Sequence, residues 1–342
     1  MRRRVPALVT LVPVAALIGG YSIYWDGKRE AFRADLARAL PGVSFEVGGF
    51  PYRLSAGGGA IERSWGADGA RVSARGAAWS LDRQPWRQEL SVIGARRPVV
   101  ELTADGLGAL LIEADKGRAS VNRNEQRVSS EFEAATIWLR GPGRGEAAAP
   151  LRAERFELHV RQTPQSDAPG PAPRAQVYVR AAGLRLRPGA AAGTPAGAPG
   201  ADGGKLTVAP RGAATDGGDP LAAELALTLR SPLPLIRAPR AVSATSERFV
   251  VTAPGGEVAN GSLQLAPAPE GGLAVSGTIA TTCPRQWAEL LGGAPAARPE
   301  YRARLPVTLS FAGPLAAPRL ASPLPAVIPA RTREKPCPQF AG

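Results

Sequence analysis

The sequence predicts a mainly β protein: an N-terminal transmembrane helix, then a curved antiparallel sheet, either an open half-barrel or a sandwich, with one or two short helices. Three observations carry this reading. A mostly apolar run from Val5 to Trp25 follows Arg2-Arg3-Arg4 and ends in Tyr21, Tyr24 and Trp25. From Val43 onward apolar and polar residues alternate with the period of two that gives a strand one dry and one wet face. The crossover helices that a parallel sheet needs are missing between the strands.

The apolar run comes first. At helical rise it extends about 31 Å, enough for a bilayer's hydrocarbon core. The three arginines favour a cytoplasmic N-terminus, and the aromatic residues suit the far interface. This reads as an uncleaved signal anchor over residues 1–26, which places the protein in the inner membrane as a single-pass chain with its remainder in the periplasm. A cleaved signal peptide is the alternative. Against it, the small residues Ala15, Ala16, Gly19 and Gly20 lie inside the apolar run, and no cysteine follows for lipoprotein processing.

Residues 27–42 hold a short juxtamembrane helix. Phe32, Leu36 and Leu40 recur at helical spacing, and Pro41-Gly42 ends it. Residues 43–187 form an N-terminal β region. Within it Phe156, Leu158 and Val160 share one strand face, and Arg71–Arg75 and Gln176–Arg180 alternate in the same way. Residues 188–220 are an Ala/Gly/Pro-rich insertion, too poor in apolar residues to offset the entropy of ordering. It is read as an insertion within one continuous sheet. Gly141–Pro150 is a shorter stretch of the same kind.

Residues 221–315 form a C-terminal β region, marked by Leu225/Leu227/Leu229, Leu263/Leu265, Leu273/Val275/Ile279 and Leu305/Val307/Leu309/Phe311. Turns are expected at Gly57-Gly58-Gly59, Asp105-Gly106, Lys116-Gly117, Pro254-Gly255-Gly256 and Glu270-Gly271-Gly272. One later helix starts at Pro284, places Trp287, Leu290 and Leu291 on a face, and stops at Gly292-Gly293. Residues 316–342 are a Pro-rich, irregular tail.

The net charge of +13 comes mostly from arginine. These arginines are scattered along strand-like segments, so a solvated surface is the first reading, membrane attraction the second, and nucleic acid is not an expected partner. Cys283 and Cys337 are a candidate disulfide in an oxidising compartment. Catalytic constellations fail on residue supply. His159 is the only histidine and falls on a polar strand face, so it cannot build a multi-histidine metal site. No Gly-x-Ser-x-Gly elbow and no Ser-x-x-Lys pair occurs. The carboxylates Glu101, Asp105, Glu113 and Asp115 read as solvated strand faces. No enzyme activity, cofactor or metal is expected. Trp65, Trp79, Trp86, Trp138 and Trp287 are read as core or edge fillers.

One phrase is more specific than composition. Gly49-Phe50-Pro51-Tyr52-Arg53-Leu54 is followed by an alternating strand, Trp79 and Pro85-Trp86. Together with the anchor, these residues resemble an uncharacterised family of Gram-negative, chiefly alphaproteobacterial, envelope proteins, the "domain of unknown function 2125" family. Ser262–Leu265 with Gly272–Gly277, and Arg304–Gly313 with Pro314, resemble that family's later strands. The Pro188–Pro220 insertion departs from it. The resemblance implies location and architecture and supplies no catalytic residue. More loosely, one span followed by two-faced strands resembles AsmA-like envelope proteins, which implies a sheet that shields lipid. The functional expectation is therefore a membrane-anchored periplasmic protein that binds or shields lipid or another amphiphile on an apolar concave face. The alternative is a non-catalytic envelope scaffold or interaction module with an envelope protein partner.

Overall fold

A computed structural model describes residues 7–67, 69–105, 108–140, 150–162, 175–185, 219–229, 243–269, 272–293, 300–315, 317–325 and 331–338. Helix α1 is Ala7–Ala39. The first strands are β1 (Glu46–Gly48), β2 (Leu54–Gly58), β3 (Ile61–Ala67), β4 (Ala70–Gly76), β5 (Ala78–Gln84), β6 (Arg87–Arg96), β7 (Val99–Ala104), β8 (Gly108–Glu113) and β9 (Lys116–Asn122). Longer strands follow: β10 (Arg127–Arg140), β11 (Leu151–Gln162), β12 (Ala175–Leu184), β13 (Leu221–Leu229), β14 (Ala244–Ala253), β15 (Gly256–Pro267) and β16 (Leu273–Thr281). The chain closes with α2 (Pro284–Leu290), β17 (Tyr301–Ala303), β18 (Val307–Pro314), β19 (Arg319–Leu320) and β20 (Arg331–Pro336).

The protein is mainly β, as the alternation indicates. One 18-stranded sheet holds every strand except β17 and β20, which pair with each other. All pairings are antiparallel. One hydrogen-bonded path runs β1–β2–β5–β6–β9–β10 and on through β11 to β16, β18 and β19. At about 4.8 Å per strand this path would measure about 60 Å if laid flat. Strand twist makes so long a sheet coil. Among the described residues no pairing joins β1 or β3 to β18 or β19.

The first strands are halves of longer bent ones. β2 continues into β3, β4 into β5, β6 into β7 and β8 into β9, and β8 and β9 both pair with the long β10. The breaks at residues 59–60, 77, 97–98 and 114–115 face one another across the sheet and meet β10 at Ala134. Arg97 and Ala134 there adopt φ of 48° and 52°. Cross-links such as Ala77 N–H to the Arg96 carbonyl (2.9 Å) and Asp115 N–H to the Glu133 carbonyl (3.0 Å) keep the crease paired.

This crease corrects two expected turns. Gly57 and Gly58 lie inside β2, and Lys116 and Gly117 inside β9. Their glycines serve close approach: a Cβ on Gly58 would stand 2.8 Å from the Ser44 carbonyl, and one on Gly117 2.9 Å from Pro98. The Pro254-Gly255-Gly256 turn does form, with φ of 93° and 114° at its glycines. The parts of the other two expected turns at Gly106, Glu270 and Gly271 lie outside the described residues, as do 141–149 and residues 188–218 of the 188–220 insertion. The strands flanking that insertion, β12 and β13, are direct neighbours.

Residues 27–42 do not form a separate helix; α1 is one helix of 33 residues. The expected transmembrane helix is not found: among the described residues no helix is long and apolar enough to cross a membrane. Residues 1–6 and the side chains of 7–12 lie outside the described residues. Downstream, α1 soon reaches Asp26, Lys28, Arg29 and Glu30, charges that end any apolar window.

Leu305 lies outside β18 and is exposed. The tail is not wholly irregular, because β19 extends the sheet and β20 pairs with β17. Helix α2 fits its sequence signals: Trp287 and Leu291 are buried, and Gly292 takes a φ of 76° just past its end.

Two features fasten the C-terminal end. The buried Glu300 carboxylate accepts the α2 backbone N–H groups of Arg285 (3.1 Å) and Gln286 (3.0 Å), satisfying donors that have no partner within the helix. A disulfide joins Cys283 to Cys337 with Cα atoms 5.8 Å apart. It closes a 54-residue separation, worth about 4 kcal/mol in the chain-entropy model.

Replacing both cysteines by serine should lower stability by roughly that amount, about 4 kcal/mol, in urea unfolding. Glu300→Gln should cost about 1–2 kcal/mol through the weakened cap, read in the same assay.

Candidate functional site: a two-faced sheet

Antiparallel register lines residues from successive strands into rows that share a face. One row reads Val47, Ala56, Leu81, Ile93, Ala119, Ser130, Leu158, Val179, Leu225, Phe249, Gly261, Ile279 and Leu309. Only Ser130 in it is polar. A second row on this face runs Val121, Val128, Val160, Val177 and Leu227. A third pairs Phe132 with Phe156, whose rings lie 6.3 Å apart, and continues to Ala181 and Ala223.

The opposite face is charged. One residue away from the first row stand Arg118, Glu131, Glu157, Arg180 and Glu224. Glu131 and Glu157 face each other directly, and Arg155 bridges them at 2.7 and 3.0 Å. Arg180 and Arg248 flank Glu224 at 3.7 and 3.3 Å. His159 lies half-buried on this face, with Nε2 3.5 Å from Glu157 and its ring 5.7 Å from Tyr178. The exposed guanidinium groups of Arg155, Arg180 and Arg248 thus hold partly buried carboxylates in a ladder of ion pairs, each worth little alone, on this polar face.

The apolar face is covered at its two ends. At the first, Trp25, Phe32 and Leu36 of α1 pack on Leu54, Ala56 and Trp79, with Val47 and Leu81 at the margin. Arg83 lies beneath α1, its guanidinium 5.2 Å from the Phe32 ring, 3.2 Å from Ser91 Oγ and 3.8 Å from Asp35. Burial pulls its pKa below the ordinary arginine value; Arg123 adds to that pull and Asp35 opposes it. At the other end, α2 sets Trp287 edge-on to Phe249 (6.4 Å), and Cys337, Leu320 and Leu324 of the C-terminal segment join the same cluster.

Between these ends the face is only partly covered among the described residues: Phe132, Phe156 and Ala181 of the third row and Leu227 of the second are buried, while other residues of the rows reach solvent. Ile93 and Val128 are 40 % and 39 % exposed, and Leu158, Val160, Val177, Val179 and Leu225 are only half-buried. A shallow pocket of about 210 Å³ at the rim of β10–β13 is lined by His159, Val160, Val177 and Tyr178 among others. It is small beside ordinary ligand sites of roughly 300–1,000 Å³, so the strip of apolar rows is the larger feature.

The motif residues come together at one end of the sheet. Gly49–Arg53 is a tight loop closed by Arg53 N–H to the Gly49 carbonyl (3.1 Å), with a cis Phe50–Pro51 bond. Phe50 packs on Trp25 (5.2 Å) and Tyr21 (6.1 Å), and the Tyr21 hydroxyl donates to the Pro51 carbonyl. Arg53 lies 3.9 Å from Asp82. Trp86 tips the β5–β6 turn, and β5 pairs with β2 directly beyond the loop. Trp79, Trp138 and Trp287 are buried, whereas Trp65, on the edge strand β3, and Trp86, at the β5–β6 turn, are exposed.

Of the carboxylates considered for chemistry, Glu101 and Glu113 stand diagonally on neighbouring strands β7 and β8. Among the described residues no group of three His, Cys, Asp or Glu side chains could hold a metal ion. No family model, curated protein or solved structure matches this chain.

Gly49 sits at φ 101°, and a Cβ there would strike the Arg53 carbonyl and stand 2.7 Å from Ser55 Oγ. Gly49→Ala should therefore cost about 1–3 kcal/mol in urea unfolding. Gly48→Ala, with open space around it and no positive φ, is the matched control and should change little.

Proposed function

We propose that this is a non-catalytic envelope protein, held in the inner membrane by the N-terminal half of α1, whose apolar sheet face takes up acyl chains of lipid or another amphiphile on the exported side. The observation that carries the reading is the row from β1 to β18, apolar but for Ser130, backed by a charged ladder and left partly exposed at Ile93, Leu158, Val179 and Leu225, as the second row is at Val128. A dry core would bury Ile93 and Val128; a surface meant for water would not carry valine and leucine across so many strands.

The anchor reading is supported by α1 itself. From Ala7 to Trp25 it holds no charged residue, and Arg2–Arg4 precede it. Leu17 and Ile23 are 74 % and 77 % exposed. Val14 and Ile23 stand on opposite sides of the helix at about 100° per residue, so apolar groups face outward all round, as a membrane segment requires. The resemblance of Gly49–Leu54 and Pro85-Trp86 to the "domain of unknown function 2125" family, and the looser one to AsmA-like proteins, favour the same compartment and the same use of a sheet. The latter is analogy at the level of architecture.

The test places a photo-crosslinking benzoylphenylalanine at Leu225, on the apolar face, or at its neighbour Glu224, on the charged face, in the full chain in native membranes. Lipid adducts should form severalfold more at 225 than at 224. Equal labelling, or a defined protein adduct at 225, would refute the lipid reading, and the protein adduct would favour an envelope scaffold.

A further inference from the structure

The aromatic end of the sheet has geometry beyond a packing role. Phe50, Tyr52, Tyr24 and Trp86 are all exposed, Tyr52 by 74 %, although each is large and apolar enough to pack. Cations accompany them: Lys28 Nζ lies 5.6 Å from the Tyr24 ring centre, Arg53 follows Tyr52, and Arg87 follows Trp86. Exposed aromatic rings flanked by lysine and arginine suit a headgroup layer, where rings meet the acyl boundary and cations meet phosphate.

Depth decides the matter. A hydrocarbon core of about 30 Å takes about 20 helical residues. In the sequence the apolar stretch after Arg2–Arg4 ends before Asp26, so such a length closes near Tyr24. Tyr21 lies one turn short of this end, about 5 Å inside it, and its hydroxyl holds the Pro51 carbonyl. Phe50 is fixed at the same level against Tyr21 and Trp25. If α1 spans the bilayer, the loop cannot stand clear of it.

We propose that the Gly49–Arg53 loop, with Trp86, is a second membrane contact: an aromatic collar seated in the exported-side bilayer interface beside α1. This rests on the anchor reading above, not on lipid uptake by the apolar face. Gly49 supplies the backbone that turns Phe50 toward α1 and leaves Tyr52 at the tip. Two contacts, helix and collar, fix the sheet's orientation and hold the Leu54 end of its apolar face against the bilayer.

The test uses the full chain in proteoliposomes with the native disulfide intact, labelled with the fluorophore NBD at Tyr52→Cys. Ser64→Cys is the control, an exposed β3 position ten residues along the bent strand from Leu54 and beyond the crease, at most about 33 Å away. Headgroup- and 5-position nitroxide lipids should quench the label at 52 about threefold more than at 64, and iodide should quench it less. Flotation of the same samples separates the outcomes. A chain that floats with vesicles but shows an iodide-accessible, lipid-insensitive label at 52 overturns the collar and leaves the anchor standing. A chain that fails to float overturns both.

Discussion

Everything in this molecule depends on the antiparallel register of its long meander. With a side-chain period of two, a slip of one residue at any pair would carry that strand's valines and leucines to the charged face. Register places Leu158 opposite Val179, Val179 opposite Leu225 and Leu225 opposite Phe249, while Glu131, Glu157, Arg180 and Glu224 fall one residue away. The ladder of ion pairs adds little energy, but it opposes such slips, since charges moved to the apolar face would lose both water and partners.

So long a sheet needs its ends managed. At the first end α1 lays Trp25, Phe32 and Leu36 over β2 and β5. At the last, α2 and the disulfide-tied C-terminal segment cover β14 to β18, with Glu300 fixing the start of α2 and Arg302 donating to the Pro254 and Gly255 carbonyls at the β14–β15 turn. The crease through residues 59–60, 77, 97–98, 114–115 and 134 bends the first half without breaking the ladder. What remains is a trough of apolar rows with a capped end on either side.

Much of this was legible in the sequence. Strand alternation marked β11, β12, β13, β15, β16 and β18, and proline and paired glycines marked both ends of α2. Other features were not. The crease arises where Arg97 and Ala134 adopt left-handed backbone without glycine, so no turn residue announces it. Gly57-Gly58 and Lys116-Gly117 look like turns, yet their glycines admit neighbouring backbone and side chains inside strands. The apolar rows are a property of pairing, and one chain read along its length shows which residues alternate but not which residue faces which. The exposed collar is the converse case: its residues were singled out as a motif, while their gathering beside Tyr21 and Trp25 depends on how α1 docks.

The half-exposed part of the apolar face, around Leu158, Val179 and Leu225, is proposed to hold lipid. Native mass spectrometry of the full chain, released from detergent micelles and followed by lipid analysis of the same sample, tests it most directly. A fixed stoichiometry of retained lipid, lost when Val179 and Leu225 are both replaced by aspartate while the chain stays folded by circular dichroism, is the predicted result. A clean lipid-free mass for the unaltered chain, or lipid retained equally by the double variant, would contradict it.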